Sequence, residues 1–258
     1  MQYSVSTLCL YNQPGASVSR LIRANPFIRN WEIMDDGYHC LDRRLVKELR
    51  PLRAEGVNFT VHAPFSSINI SEYQPSLRNV FIKRVEKSIY QAAEIGATIE
   101  VVHAATPTIF SYFFPEDASR TCGESLAKLM DYGHSVGIEV VVENGVGPYD
   151  LFNTVEKISG ILAAVPGAPT CLDLGHAHVT GPVDGFIARQ PRIRHIHLHD
   201  NHGQHDEHLA AGEGTIDWKE ICRLLRLADY QGLIVAENHN IELALRSLSH
   251  MQAALRDP

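Results

Sequence analysis

The sequence predicts a single (β/α)8 barrel over residues 1–258. Three observations predict it. Short β-branched apolar runs alternate with helical-period segments throughout the chain. Eight such runs share 258 residues, about 32 each, the size of one βαβ repeat. The total matches the roughly 250 residues that such a barrel needs.

The expected strands are Tyr3–Tyr11, Asn30–Met34, Phe59–Pro64, Ile99–Ala104, Ile138–Glu143, Thr170–Leu174, Ile193–His199 and Leu233–Glu237. Amphipathic stretches lie between them, such as Ser76–Ile95 and Ala118–Val136, with apolar residues at i, i+3, i+4 and i+7. Gly56, Gly96, Gly137, Gly167 and Gly232 each fall just before a strand, where a helix C-cap or tight loop wants a residue that tolerates φ > 0. A doubly wound open sheet is the structural alternative. It usually carries a Gly-rich phosphate loop after its first strand, and here that place reads LYNQPGAS. No low-complexity linker or break in composition divides the chain.

Hydrophobic residues make up 45% and charged residues 21%, enough for one buried core. The net charge of −7 argues against a sequence-independent grip on nucleic acid, although carboxylates that hold cations count as negative here. The five cysteines, at positions 9, 40, 122, 171 and 222, form no C-x-x-C pair, so neither disulfides nor a thiolate zinc site is expected. A reducing, cytoplasmic setting follows from that. The N-terminus has no basic segment before a long apolar run, and no apolar stretch reaches about 18 residues, so neither signal peptide nor membrane span is expected.

In such a barrel, chemistry collects at the C-terminal ends of the strands. Those ends carry His62 in VHAPF, His103 in VVHAA, Glu143 in VVVEN, Asp173 and His176 in CLDLGH, and Glu237 in IVAEN. The seventh strand reads HIHLHD, and its alternation with Ile and Leu turns His195, His197 and His199 to one side. Asp206 and His208 follow in the next loop, just before GEG. A lone histidine at a strand end is usually a satisfied polar residue. A glutamate closing an apolar strand says more, because a buried carboxylate must be paired or bound to metal. An ordinary salt bridge is the competing explanation, but Arg192 and Arg194 are the only basic residues at these strand ends. Histidine and metal remain as counter-charges. Imidazole with carboxylate and no thiolate suits a catalytic Zn, Mn, Fe or Ni site over Ca.

This set resembles the xylose isomerase-like barrel superfamily, which holds sugar isomerases and epimerases and nucleases of the endonuclease IV type. The resemblance spans nearly the whole chain. By likeness to the epimerases, Glu143, Asp173, His197 and Glu237 would hold one divalent metal. By likeness to the trinuclear nucleases, His62, His103, His176, Asp206 and His208 would complete a nine-residue set for two or three ions of Zn, Mn or Fe. Three departures from the nucleases concern DNA. The loop after strand 2 reads IMDDGYHC, whose Asp35 and Asp36 are expected to repel phosphate. Phe65 stands where the nucleases tend to have Tyr, and LCLYNQPG lacks their early histidine.

The expected activity is therefore metal-assisted proton transfer on a sugar or sugar phosphate. Glu143 and Glu237 would act as base and acid from roughly opposite sides of the mouth, and His176 would polarise the carbonyl. Phe65 and Trp218 are candidate apolar walls, with buried packing the plainer role for each. The alternative is metal-dependent phosphoester hydrolysis on abasic DNA or a small phosphoester. A binding barrel without catalysis is the least favoured reading. Expected partners are a small carbohydrate-like or phosphorylated substrate, nucleic acid less favoured, no membrane, and room for a homo-oligomer.

Overall fold

Eight strands pair in chain order and close on themselves. They are β1 (Gln2–Ser6), β2 (Asn30–Met34), β3 (Asn58–His62), β4 (Ile99–His103), β5 (Glu139–Glu143), β6 (Thr170–Asp173), β7 (Ile193–Leu198) and β8 (Leu233–Ala236). Every neighbouring pair is parallel. The computed structural model describes residues 1–104, 107–147, 150–189 and 192–256.

Alternation along each strand divides its side chains. Trp31, Ile33, Phe59, Val61, Val102, Val142, Leu172, Ile196 and Leu198 belong to the large apolar core, which reaches out to the helices. Val101, Val141 and Cys171 form a separate small cluster inside the barrel. Two residues further along the same strands, on the same inward face, come His103, Glu143 and Asp173. The pleat that builds the core thus also aims these side chains at the barrel axis.

The helices are α1 (Val18–Ala24), α2 (Arg43–Ala54), α3 (Pro75–Glu94), α4 (Ile109–Phe113), α5 (Pro115–Val136), α6 (Val155–Leu162), α7 (Leu174–Thr180), α8 (Val183–Arg189), α9 (Trp218–Leu227) and α10 (Ile241–Arg256). Their ends follow local chemistry. The Asp42 carboxylate caps α2 by accepting from the amides of Arg44 and Leu45, and the helix then buries Leu45, Val46, Leu49 and Leu52 on one face. Helix α5 opens on Pro115 and ends at Gly137, whose φ of 81° is left-handed. The two predicted amphipathic stretches match α3 and α5 closely.

Six of the eight predicted strands end early, and at two of them side-chain hydrogen bonds give the cause. Strand β1 stops at Ser6, and Thr7–Leu10 form a 3-10 turn. Ser6 caps this turn by accepting from the Leu8 amide, and the Thr7 hydroxyl accepts from the Met34 amide of β2. Side-chain oxygens replace the strand ladder there. Strand β6 ends at Asp173 because that carboxylate accepts from the His176 amide and starts α7 at Leu174.

Among the described residues, no helix is long and apolar enough to cross a membrane. None of the five cysteines is in a disulfide, and four are buried.

Candidate metal centre

The structure brings all nine sequence-predicted residues to one end of the barrel, in adjoining groups that share members. Glu143, at the end of β5, is the hub. Its Oε1 lies 2.8 Å from His197 Nδ1. Its Oε2 lies 2.8 Å from His103 Nε2 and 3.2 Å from His62 Nε2. Asp173 and Glu237 close on the same His197 nitrogen, at 3.7 and 3.6 Å. Donor atoms of Glu143, Asp173, His197 and Glu237 all lie within 4.8 Å of one another, so glutamates three strands apart share one space. Sequence expects them on roughly opposite sides of the mouth; their strands stand apart in the ring and their carboxylates reach inward to one space.

A further group is built by the loop after β7. Asp206 Oδ2 lies 3.3 Å from His176 Nε2 and 3.2 Å from His208 Nε2, and its Oδ1 lies 3.6 Å from His199 Nε2. His199 was grouped with the strand-7 histidines but given no ligand role in the sequence. Here it bridges the groups, its Nε2 also 3.1 Å from Asp173. His208 stacks on it with ring centroids 4.0 Å apart.

The imidazoles are oriented from behind. His62 Nδ1 lies 2.8 Å from the Ala63 carbonyl, His176 Nδ1 2.8 Å from that of Asn144, and His208 Nδ1 2.7 Å from that of Glu237. Each carbonyl can only accept, so each Nδ1 carries the proton and Nε2 faces the carboxylates.

Electrostatics follow from this crowding. Burial pushes the Glu143 carboxyl up, but the imidazoles of His197 and His103 outweigh it and hold it well below the usual range. Asp206 is lowered in the same way by His176 and His208. Burial pulls His62 and His208 down, yet hydrogen bonds and charge from Glu143 and Asp206 raise each to about 9. His176 and His197 are also raised well above the ordinary imidazole value, against the effect of burial.

Sequence reasoning passed over the residues that clamp these groups. Each glutamate is followed by an asparagine, and the repeated Glu-Asn pair was the available signal. Asn144 donates to the Asp173 carbonyl at 3.0 Å and accepts from the Asp173 amide at 2.8 Å. Asn238 donates to the carbonyls of His208 and Leu209, and the Ser247 hydroxyl donates to its Oδ1. Asp200 ties down the β7 loop, accepting from the amides of Asn201 and Gly212 and from Trp218 Nε1 at 2.8 Å. Close approach matters beneath it: a Cβ on Gly175 would sit 1.9 Å from His199 Cε1. Replacing Asn144 with Ala strands two backbone groups of Asp173. The expected cost is about 1–3 kcal/mol for each buried group left unsatisfied. It is checked as a lower unfolding midpoint in urea together with weaker cation uptake. Unchanged values for both would remove the clamp assignment.

Two sequence expectations change, for the Asp35–Asp36 loop and for Phe65, while Trp218 takes the buried packing role expected of it. Asp35 and Asp36 do not face a ligand. Asp35 is fully buried, paired with Arg84 at 2.9 Å and accepting from the Leu41 amide. Asp36 accepts from the amides of Gly37, Phe65 and Ser66, which hold its carboxyl below the usual value despite burial. Arg84 counters the charge of Asp35, so its expected repulsion of phosphate falls away, while Asp36 keeps its charge on amide donors. Phe65 does form a wall: its ring stacks on His103 at 5.2 Å and meets the edge of His62 at 5.3 Å. Trp218 does not. It is 4% exposed, bonded to Asp200 and packed at the start of α9.

The donor set fits a divalent cation. Among the described residues, the ion-pair partners of Glu143, Asp173, Asp206 and Glu237 are all histidines. Glu237 Oε1 is buried with no hydrogen-bond partner. Carboxylates that converge without Lys or Arg, one with an orphaned oxygen, call for positive charge from outside the chain.

Comparison with known proteins agrees with the fold. A family model described as xylose isomerase-like TIM barrel matches residues 29–254. An uncharacterized protein of Methanocaldococcus jannaschii is 30% identical over 261 residues, covering 96% of this chain and 87% of that one. A solved structure of a D-tagatose 3-epimerase-like protein superposes with a TM-score of 0.91 at 27% identity, covering 99% of this chain and 97% of that chain. The fructoselysine 3-epimerase of Shigella flexneri is 23% identical over 172 residues, 62% of this chain and 59% of that protein.

Proposed function

The chain belongs to the xylose isomerase-like TIM barrel family, and from that membership we propose that it is a divalent-metal-dependent isomerase or epimerase of a sugar or sugar phosphate. The observation that carries this reading is the convergence of Glu143 and Glu237 on the space before His197 Nδ1. The epimerase relatives, one a D-tagatose 3-epimerase-like structure and one a fructoselysine 3-epimerase, support the substrate class.

A cation held by Glu143, Asp173, His197 and Glu237 would supply Lewis-acid polarisation of a substrate carbonyl, so that the neighbouring C–H becomes acidic. The chain's own groups do the rest. One of the paired glutamates removes that proton, and the other returns a proton to the opposite face of the same carbon, inverting it. The unpartnered Oε1 of Glu237 suits either step. His176 has its Nδ1 proton committed to the Asn144 carbonyl. It therefore donates to a substrate oxygen from Nε2 as imidazolium, a state that Asp173, Asp206 and Glu143 favour. Phe65 covers one side with an apolar ring and limits water.

Phosphoester hydrolysis is the second reading, and a specific observation favours it. Glu143 turns its second oxygen to His62 and His103, while Asp206 gathers His176, His199 and His208, so the donors suffice for two or three ions. Multinuclear sites serve phosphoryl chemistry by holding both the attacking and the leaving oxygen. Asp35, paired with Arg84, no longer opposes a phosphorylated substrate.

One experiment separates the readings. Metal-loaded protein is incubated in D2O with a panel of ketoses and ketose phosphates and, in parallel, with abasic duplex DNA. Deuterium uptake at the carbon beside the carbonyl, with appearance of the epimer, is expected. Nicking of the duplex at nanomolar enzyme, with no exchange in any sugar, would overturn the isomerase reading in favour of hydrolysis. Elemental analysis of the same sample reports the number of ions per chain.

A further inference from the structure

A carboxylate lies where the mechanism above makes no use of it. Glu32, in the middle of β2, is fully buried. Its strand neighbours Trp31 and Ile33 join the outer apolar core, so Glu32 turns into the barrel, beneath the candidate centre. Its Oε2 lies 2.7 Å from His195 Nε2 and accepts from the Thr60 hydroxyl at 3.2 Å. Its Oε1 lies 3.2 Å from His197 Nε2. Both of those last two atoms are buried and neither makes a hydrogen bond, so their ion-pair distance is the contact that joins them.

We propose that Glu32 is a positioning residue that keeps the His197 proton on Nε2 and thereby turns the Nδ1 lone pair toward the cation. The inference rests on the metal-centre reading and goes a step beyond it. A neutral imidazole carries one proton on two nitrogens. Three carboxylates, those of Glu143, Asp173 and Glu237, surround Nδ1 at 2.8–3.7 Å and would draw the proton there. A protonated Nδ1 cannot ligate. Glu32 is the carboxylate at the opposite edge of the ring, and an acceptor at Nε2 settles the proton on the far side from the donors. His195 and Thr60 hold the other oxygen of Glu32, so the carboxylate cannot swing away. Cys171 is also close to His195 and His197, in the same buried cluster. A cysteine sulfur is a weak acceptor beside a carboxylate oxygen. Glu32 is therefore the stronger claimant.

The test is made on full-length protein labelled with 15N-histidine and titrated with Cd(II). In the wild type, His197 is expected to show coupling from 113Cd to Nδ1, with Nε2 protonated. Glu32→Gln keeps the shape but replaces the charged acceptor with an amide that can also donate. It is expected to weaken cation affinity about 10–100-fold, the usual effect of losing such an outer partner, and to shift the 15N signals of His197. Cys171→Ala should leave the ligating nitrogen and the affinity as they are. Wild-type affinity and spectrum in Glu32→Gln would overturn the proposal. So would coupling through Nε2 in the wild type, a result that stands even if the variant does not fold. A wild type that takes up no cation overturns the metal-centre reading itself, a failure distinguishable from binding that is indifferent to Glu32.

Discussion

Stripping the protein with a strong chelator is expected to abolish turnover, by roughly a thousandfold or more, if about 4 kcal/mol of transition-state stabilisation comes from the cation. Readdition of Zn or Mn should restore it. The same treatment should lower the melting temperature. A cation at a thousandfold over its Kd contributes about 4 kcal/mol to the folded state, worth roughly 8–16 °C in a chain of this size. The two forms should also respond oppositely to pH. Without the cation, His62 and His208 have folded-state values raised to about 9 by Glu143 and Asp206, above the ordinary 6.5. A raised value means stabilisation that is complete below about pH 6.5 and lost as pH climbs through about 9. The stripped chain should therefore soften between those limits. The loaded chain should not, since a ligating imidazole must shed its proton and higher pH favours binding. Melting curves of both forms from pH 6 to 9.5 check the sign. Equal turnover in stripped and replenished samples would sink the metal-dependent mechanism.

The barrel was legible because its signal is repeated. Each apolar run, each helical period and each glycine before a strand pointed to the same architecture, and errors at single ends did not accumulate. Residues 7–11 misled because LCLY suits a strand as well as a 3-10 turn, and only the Ser6 and Thr7 hydrogen bonds decide between them. The site residues were legible because strand ends in a barrel share one rim, so a His, Asp or Glu at each end must converge with the others. What surrounds them was not legible. Nothing local in IMDDGYHC reveals that Arg84, 49 residues away, neutralises Asp35. In NWEIM, Glu32 stands between apolar neighbours with nothing local to mark it. Its meaning depends on His195 and His197, which stand beside it only after the barrel closes.

Substituting Gln for Glu143 is expected to do more damage than the same change at Glu237, and the difference tests how the site is wired. Both changes remove a carboxylate from the space before His197 Nδ1, and both should cost about 10²–10⁴ in turnover if the residues act as base and acid. Glu143 has a second role. Its Oε1 faces His197 while its Oε2 faces His103 and His62, so among the described residues it is the one carboxylate common to two candidate cation groups, which also share His197. Among the described residues, the Glu237 carboxylate forms an ion pair with His197 alone. Gln keeps the size but cannot carry charge to either side. Glu143→Gln should therefore empty both groups, leaving at most an ion at His176, His199, Asp206 and His208, whereas Glu237→Gln should weaken one and spare the His62 and His103 side. Elemental analysis of the two variants beside the wild type reads this directly, and circular dichroism shows whether each is folded. Equal metal content in folded Glu143→Gln and Glu237→Gln would mean that Glu143 does not bridge, and its closeness to His62 and His103 would then be ordinary ion pairing. Wild-type turnover in either variant would remove that residue from proton transfer, because a neutral amide neither takes up nor releases the proton at the rate the reaction requires.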